Sequence, residues 1–318
     1  MNTYTHPLTT EQAAALRTLL EELGYKFSPK PYTIFFAQKD KLSVAAYEKG
    51  PKVLIQGRGV EEFVQFELEP KILGEAKLGY EEVHSPEMFD PHFGIDESGK
   101  GDFFGPLVIA GVYVDKVIAR QLIDAGVQDS KRISSDAKIR MLAETIRKVT
   151  MGLTDKVLIG PAAYNRLYRQ FGNLNSLLAW GHARVIENLV EKKPGCPRAL
   201  SDQFADARVI ERALLDHGRK IRLEQRTKAE SDIAVAAASI LARAAFIDWL
   251  EEEGKKLGLR LERGVSPGVK EVARKLAQAR GAGILREVAK VHFKTAHEVA
   301  PEEFPPPPAR AQWRKGSA

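Results

Sequence analysis

Thirteen residues, Gly94-Ile95-Asp96-Glu97-Ser98-Gly99-Lys100-Gly101-Asp102-Phe103-Phe104-Gly105-Pro106, run straight into the apolar hexapeptide Leu107-Val108-Ile109-Ala110-Gly111-Val112. The hexapeptide is rich in β-branched residues and punctuated by glycine, a pattern that suits a core strand better than a helix. An acidic pair is therefore expected where a first strand ends and the chain turns back. Successive strand side chains point to opposite faces, so Asp96 and Glu97 converge only if the backbone bends at that point. The neighbouring glycines permit such a bend.

Three chemistries compete for this stretch. Acidic and glycine residues occur in plain surface hairpins. Gly94 and Gly99-Lys100 also fit all but the last position of the phosphate-binding pattern G-x-x-x-x-G-K-[ST]. That position is Gly101, so the hydroxyl that would hold magnesium is missing, and Asp96 and Glu97 would face a triphosphate with like charge. The third reading is a metal-dependent nuclease. An Asp-Glu pair followed by a Gly-Lys-Gly turn resembles the signature of the type 2 ribonucleases H, in their HIII branch.

Residues elsewhere carry the same resemblance. Asp129-Ser130-Lys131 leads into a helix expected from about Ser135 to Val149, and a very similar Asp-Ser-Lys element occurs in the family. Its Ser and Asp could equally be helix caps. The string Gly172-Asn173-Leu174-Asn175-Ser176-Leu177-Leu178-Ala179-Trp180-Gly181-His182-Ala183 resembles the HIII branch, and either Asn173 or Asn175 can cap the helix that starts there. His182, among apolar residues of that helix, reads as structural rather than as a ligand. Ser201-Asp202-Gln203-Phe204 ends a short strand and matches the third acidic position. In Lys228-Ala229-Glu230-Ser231-Asp232, Glu230 takes the fourth, with Asp232 as its rival. A carboxylate at a helix N-terminus is favourable by dipole alone, so position does not decide between them. Val291-His292-Phe293-Lys294-Thr295 resembles the closing segment of the branch.

Composition is compatible with this. With 318 residues and 44% hydrophobic content, the chain can bury one sizeable core and a smaller one. A net charge of +6 favours a polyanionic partner. Cys196 is the single cysteine, which excludes an internal disulfide and a cysteine-rich zinc site. No uncharged apolar run reaches the roughly 18 residues that span a bilayer, and the N-terminus has no secretion-signal pattern. The expectation is a cytoplasmic monomer with no membrane segment.

Four regions are expected. Residues 1–80 hold a helix after Thr9 or Thr10 that ends at Gly24, three strands (32–37, 42–47, 53–56) and a second helix from Val60 to about Leu68. Residues 26–58 carry seven basic side chains against two acidic ones, and 61–75 carry five glutamates against Lys71. That pattern suggests a basic sheet backed by an acidic helix, the sheet facing a nucleic-acid backbone. By position the segment resembles the small TATA-binding-protein-like α+β domain that precedes the catalytic domain in the HIII branch. Residues 81–92 read as a linker, 93–300 as the catalytic domain and 301–318 as a proline-rich tail.

The resemblance implies a ribonuclease-H-like α/β fold, a mixed sheet flanked by helices, that hydrolyses the RNA strand of RNA/DNA hybrids. It assigns catalysis and metal binding to Asp96, Glu97, Asp202 and Glu230, with two Mg2+ or Mn2+ ions. It assigns substrate contacts to Gly99, Lys100, Gly101, Ser130, Lys131 and Asn175. Two unit charges ~4 Å apart repel by about 4 kcal/mol at an effective dielectric near 20, so four clustered carboxylates call for cations. The alternatives are a hybrid-binding protein without the chemistry and, more weakly, a P-loop-like NTPase.

Overall fold

The computed structural model describes residues 3–74, 85–203, 213, 221–227 and 229–305. The chain divides into two compact units, Met1–Glu87 and Met88–Ala318.

The first unit is a five-stranded antiparallel sheet with helical segments on one face. Its strands β1 (Thr3–Pro7), β2 (Lys26–Ser28), β3 (Thr33–Lys39), β4 (Leu42–Tyr47) and β5 (Lys52–Gly57) lie in the order β1-β5-β4-β3-β2. Helix α1 (Thr10–Glu22) begins at a capping box: Thr9 and Gln12 exchange side-chain and backbone hydrogen bonds. The second helix starts as expected, as α2 (Val60–Phe63), but widens into a π-helical stretch, Val64–Leu73. Alternation buries Phe35, Ala37, Val44, Ala46, Val53 and Ile55 against Leu16, Leu20, Val64 and Leu68. On the other face Lys26, Gln38, Ser43 and Gln56 form one row across the strands, and Phe36, Ala45 and Leu54 the next. Lys39 turns back to donate to the Leu23 carbonyl (2.7 Å), while Lys30 lies over the Phe36 ring at 4.7 Å.

The second unit is a three-layer α/β/α sandwich. Strands β6 (His92–Ser98), β7 (Leu107–Val114), β8 (Thr154–Ile159), β9 (Arg198–Asp202) and β10 (Arg222–Arg226) lie in the order β10-β9-β6-β7-β8. The first three of that order are mutually parallel, and β7 and β8 add antiparallel, so the sheet is mixed as expected. The helices are α3 (Lys116–Asp124), α4 (Asp136–Val149), α5 (Pro161–Phe171), α6 (Leu174–Lys192), α7 (Ile233–Leu257), α8 (Pro267–Arg280), α9 (Leu285–Val288) and α10 (Lys294–Val299).

Two close approaches set the layers. A Cβ on Gly94 would stand 2.2 Å from the Ala234 carbonyl carbon, so glycine lets the start of α7 lie directly on β6. On the opposite face a Cβ on Gly181 would meet Ile109 at 2.6 Å, which brings α6 down onto β7. Helix α7 is long and apolar enough to cross a membrane, but 83% of its most apolar window is buried inside the protein. It is the core helix.

The expected linker is shorter than 81–92. Residues 81–84 lie outside the described set, Met88 and Phe89 are buried in the core of the second unit, and β6 already begins at His92. At the other end Phe304 is buried under the Arg286 guanidinium, and residues 306–318 of the expected tail lie outside the described residues.

Candidate active site

The acidic pair sits inside a strand. β6 pairs with β7 through Asp96↔Ala110, Glu97↔Ile109 and Ser98↔Val108, and the chain turns only at Gly99, whose φ is +88°. The bend expected at the pair is therefore absent, and alternation sends the two carboxylates to opposite faces. Asp96 shares the face of Gly94, the one covered by α7. Glu97 points to α6, where His182 Nε2 lies 3.1 Å from its Oε2 and Lys100 Nζ lies 3.4 Å from its Oε1.

Sheet register places the third acid. Ile95 pairs with Ser201 across parallel β6 and β9, so Asp96 and Asp202, one residue on, lie side by side on the same face. Glu230 lies in the 3-10 turn Ala229–Ser231, directly before α7. Asp232 is used differently. It is buried and caps α7, its Oδ1 accepting from the N–H groups of Ala234 (2.8 Å) and Val235 (3.3 Å), with His92 Nε2 at 3.0 Å.

Burial, and then the charge of Glu97, hold the Asp96 carboxyl well above its ordinary value; the Glu97 N–H (2.8 Å) and the Lys131 ammonium pull the other way. Burial also pushes Glu97 up, but His182 and Lys100 outweigh it and leave that carboxyl below its usual value. One acid of the pair thus resists ionising and the other is held as an anion. Among the described residues, no three acidic, histidine or cysteine side chains are grouped so as to hold a metal ion. The four candidate carboxylates would nevertheless offer oxygen alone, as a hard divalent cation requires, and the resistance of Asp96 to ionisation marks a place where added positive charge is stabilising.

The turn after β6 divides its labour between two glycines. A Cβ on Gly99 would stand 2.1 Å from the Pro106 carbonyl oxygen and 2.9 Å from the Phe246 ring, whereas one on Gly101 would meet nothing within 4 Å. Gly99 serves the fold, and Gly101 leaves open space at the surface. Gly99→Ala should therefore lower stability by about 1–3 kcal/mol. Gly101→Val should keep the melting temperature yet reduce cleavage by on the order of 100-fold, if substrate must approach that closely. Thermal melts beside steady-state rates check both; normal turnover by Gly101→Val removes the turn from the site.

The Asp-Ser-Lys element is bolted to α7. Ser130 N–H donates to Ser239 Oγ (3.0 Å), the Ser130 carbonyl accepts from Arg243, and the charge of Lys131 reaches Asp96. Asn173, not Asn175, caps α6, its Oδ1 accepting from Ser176 N–H at 2.9 Å. Asn175 is exposed in the first turn and, seven residues before His182, lies on the same side of α6. His182 is more than a core histidine, because it touches Glu97. The available signal was Gly181, whose close packing on Ile109 puts the next residue beside the strand partner of Ile109, which is Glu97.

A mixed sheet of this order, with carboxylates near the ends of adjacent parallel strands and in the turn before the helix that covers them, is the arrangement of a ribonuclease-H-like nuclease. The Ribonuclease HII family profile matches residues 93–296. Ribonuclease HIII of Protochlamydia amoebophila is 44% identical over 276 residues, covering 87% of this chain and 89% of that protein. Ribonuclease HIII of Chlamydia pneumoniae is 42% identical over 92% of this chain and 96% of its own length. The crystal structure of Bst-RNase HIII in complex with Mn2+ superposes with a TM-score of 0.64 at 28% identity, covering 93% and 97% of the two chains. Aquifex aeolicus RNase H3 gives 0.53 at 26% identity, covering 91% and 100%. The chain belongs to the ribonuclease HII family, and its relatives over nearly its whole length are ribonucleases HIII. It is a ribonuclease H, an enzyme that hydrolyses the RNA strand of RNA/DNA hybrids.

Proposed function

We propose that Asp96, Glu97, Asp202 and Glu230 together hold two divalent cations, Mg2+ or Mn2+, at which the RNA strand is cut to 5′-phosphate and 3′-hydroxyl ends. The observation that supports this reading is the β6–β9 register, which by alternation turns Asp96 and Asp202 to the same face, with Glu230 in the turn directly before α7. When bound, the two ions supply an activated water and a counter-charge for the leaving oxygen. The protein's part is to hold acceptors in place. His182 orients Glu97, the Glu97 N–H orients Asp96, and His92 with the helix cap keeps Asp232 out of the ligand set. Gly101 admits the RNA backbone, where a ribose 2′-hydroxyl distinguishes RNA from DNA. Lys100, Ser130, Lys131 and Asn175 line the approach.

The P-loop alternative fails on topology, because Gly99-Lys100-Gly101 leads into β7 and not into a helix whose N-terminus could take phosphate. A binding protein without chemistry has no reason to keep Asp96 buried one residue from an anionic Glu97. On this reading residues 1–80 form a second nucleic-acid contact, made through the sheet face that carries Lys26, Gln38, Ser43 and Gln56. The enzyme acts as a cytoplasmic monomer; light scattering should then give the single-chain mass of 35.3 kDa, and a multiple of it refutes the monomer. Cleavage of a labelled hybrid in Mg2+ and its loss in EDTA test the chemistry, and cleavage that persists in EDTA refutes it. The same assay tests the first unit: a chain beginning at Pro86 should bind hybrid more weakly and with a flatter salt dependence, since each phosphate contact adds to that slope.

A further inference from the structure

Lys290, between α9 and α10, is fully buried. Burying an ammonium is costly unless its N–H groups find acceptors, and burial pushes this one down to about 7. Its Nζ donates to the carbonyls of Gly105 (2.7 Å), Asp102 (2.9 Å) and Phe104 (3.5 Å). Its own backbone N–H takes the remaining carbonyl of that stretch, Phe103 O, at 2.9 Å. Four successive carbonyls therefore converge on one residue. No strand or helix serves four consecutive carbonyls from one side, and their dipoles repel unless a cation stands at the focus. A neutral amine would serve at most two and turn a lone pair towards the third.

The surroundings make this a clamp on one particular turn. Gly105 N–H donates to Val288 O (2.9 Å) and Phe104 bridges to Ala289, so the segment ending in Lys290 runs along the turn. On the other side Gly99 and Gly105 rest against the Phe246 ring of α7. The rings of Phe246 and Tyr164 flank the ammonium at 6.0 and 5.7 Å. The stretch gripped in this way, Asp102–Gly105, is the return limb of the Gly99-Lys100-Gly101 turn. We propose that Lys290 is a positioning residue for substrate recognition, holding this turn in the shape that receives the RNA strand. The role rests on the reading that the turn contacts RNA.

The test is Lys290→Met, nearly isosteric but without donors. Amides of residues 99–105 should exchange about tenfold faster or more, while those of β7 stay unchanged. The KM for hybrid should rise about tenfold or more, with kcat at saturating hybrid and the Mg2+ requirement within about threefold of the unaltered enzyme. A merely structural lysine would lower the melting temperature and the active fraction without moving KM. Unchanged exchange in 99–105, or unchanged KM, overturns the proposal. Gly101→Val then separates the two failures: a normal KM in that variant means the turn does not read RNA, and a raised one means that only the part given to Lys290 is wrong. Should Lys290→Met not fold, hydrogen exchange in the unaltered protein decides. The amides of Gly105 and Lys290 must be as slow as those of β7, and fast local opening there overturns the clamp.

Discussion

Asp96→Asn is expected to abolish hybrid cleavage, with a loss on the order of 1000-fold or more in kcat at saturating Mg2+. A metal contributes several kcal/mol of transition-state charge stabilisation, and each 1.36 kcal/mol is a factor of ten in rate. Asparagine keeps the shape of the side chain and an oxygen for the Glu97 N–H, now at 2.8 Å from Asp96 Oδ1. It also removes a charge that burial and Glu97 both oppose. The melting temperature should therefore hold or rise, and hybrid binding should survive. Rates, melts and a binding titration on the same preparation separate these effects. A loss of only a few-fold, with Mg2+ saturating, would remove Asp96 from the centre of the site.

The second large effect contrasts two acids two residues apart. Glu230→Gln should reduce cleavage by on the order of 100-fold, the size seen when an oxyanion or metal-site contact is lost. Its melting temperature should not move, because Glu230 is only partly buried and lies in a 3-10 turn. Asp232→Asn should leave cleavage within a few-fold, since asparagine caps a helix about as well as aspartate and its oxygen can still meet the N–H groups of Ala234 and Val235. Asp232→Ala should instead cost about 1–2 kcal/mol of stability through the lost cap, and more through the buried His92 left without its carboxylate. Rates and melts on the three variants decide. If Asp232→Asn proves the inactive one, the fourth acidic position belongs to Asp232.

Much of this architecture could be read locally. The hexapeptide Leu107–Val112 opens β7, fully buried as its composition implies, and α1 starts where Thr9 and Gln12 form their capping box. Helix α4 begins at Asp136 with Ser135 as its cap, within a residue of expectation. These features depend on side-chain period and on hydrogen bonds spanning a few residues, so a short window contains all the physics that makes them. The edge strands β1 and β2 escaped that reading. β2 has only three residues and β1 ends in proline, so neither shows a usable alternation.

The sequence by itself determined the family, through its Asp-Glu pair and Gly-Lys-Gly turn, and with it the class of reaction and most of the strands and helices. Only the tertiary structure decided how those parts are used. It put Asp96 and Glu97 on opposite faces because β6 stays paired with β7 as far as Ser98. It gave Glu97 a partner 85 residues away, committed Asp232 to a cap beside a histidine 140 residues away, and held the turn with a lysine 188 residues from Asp102. Such contacts follow from strand register and from how closely helices pack on the sheet. Both are settled by burying the whole core at once, and no window short enough to read by pattern contains them.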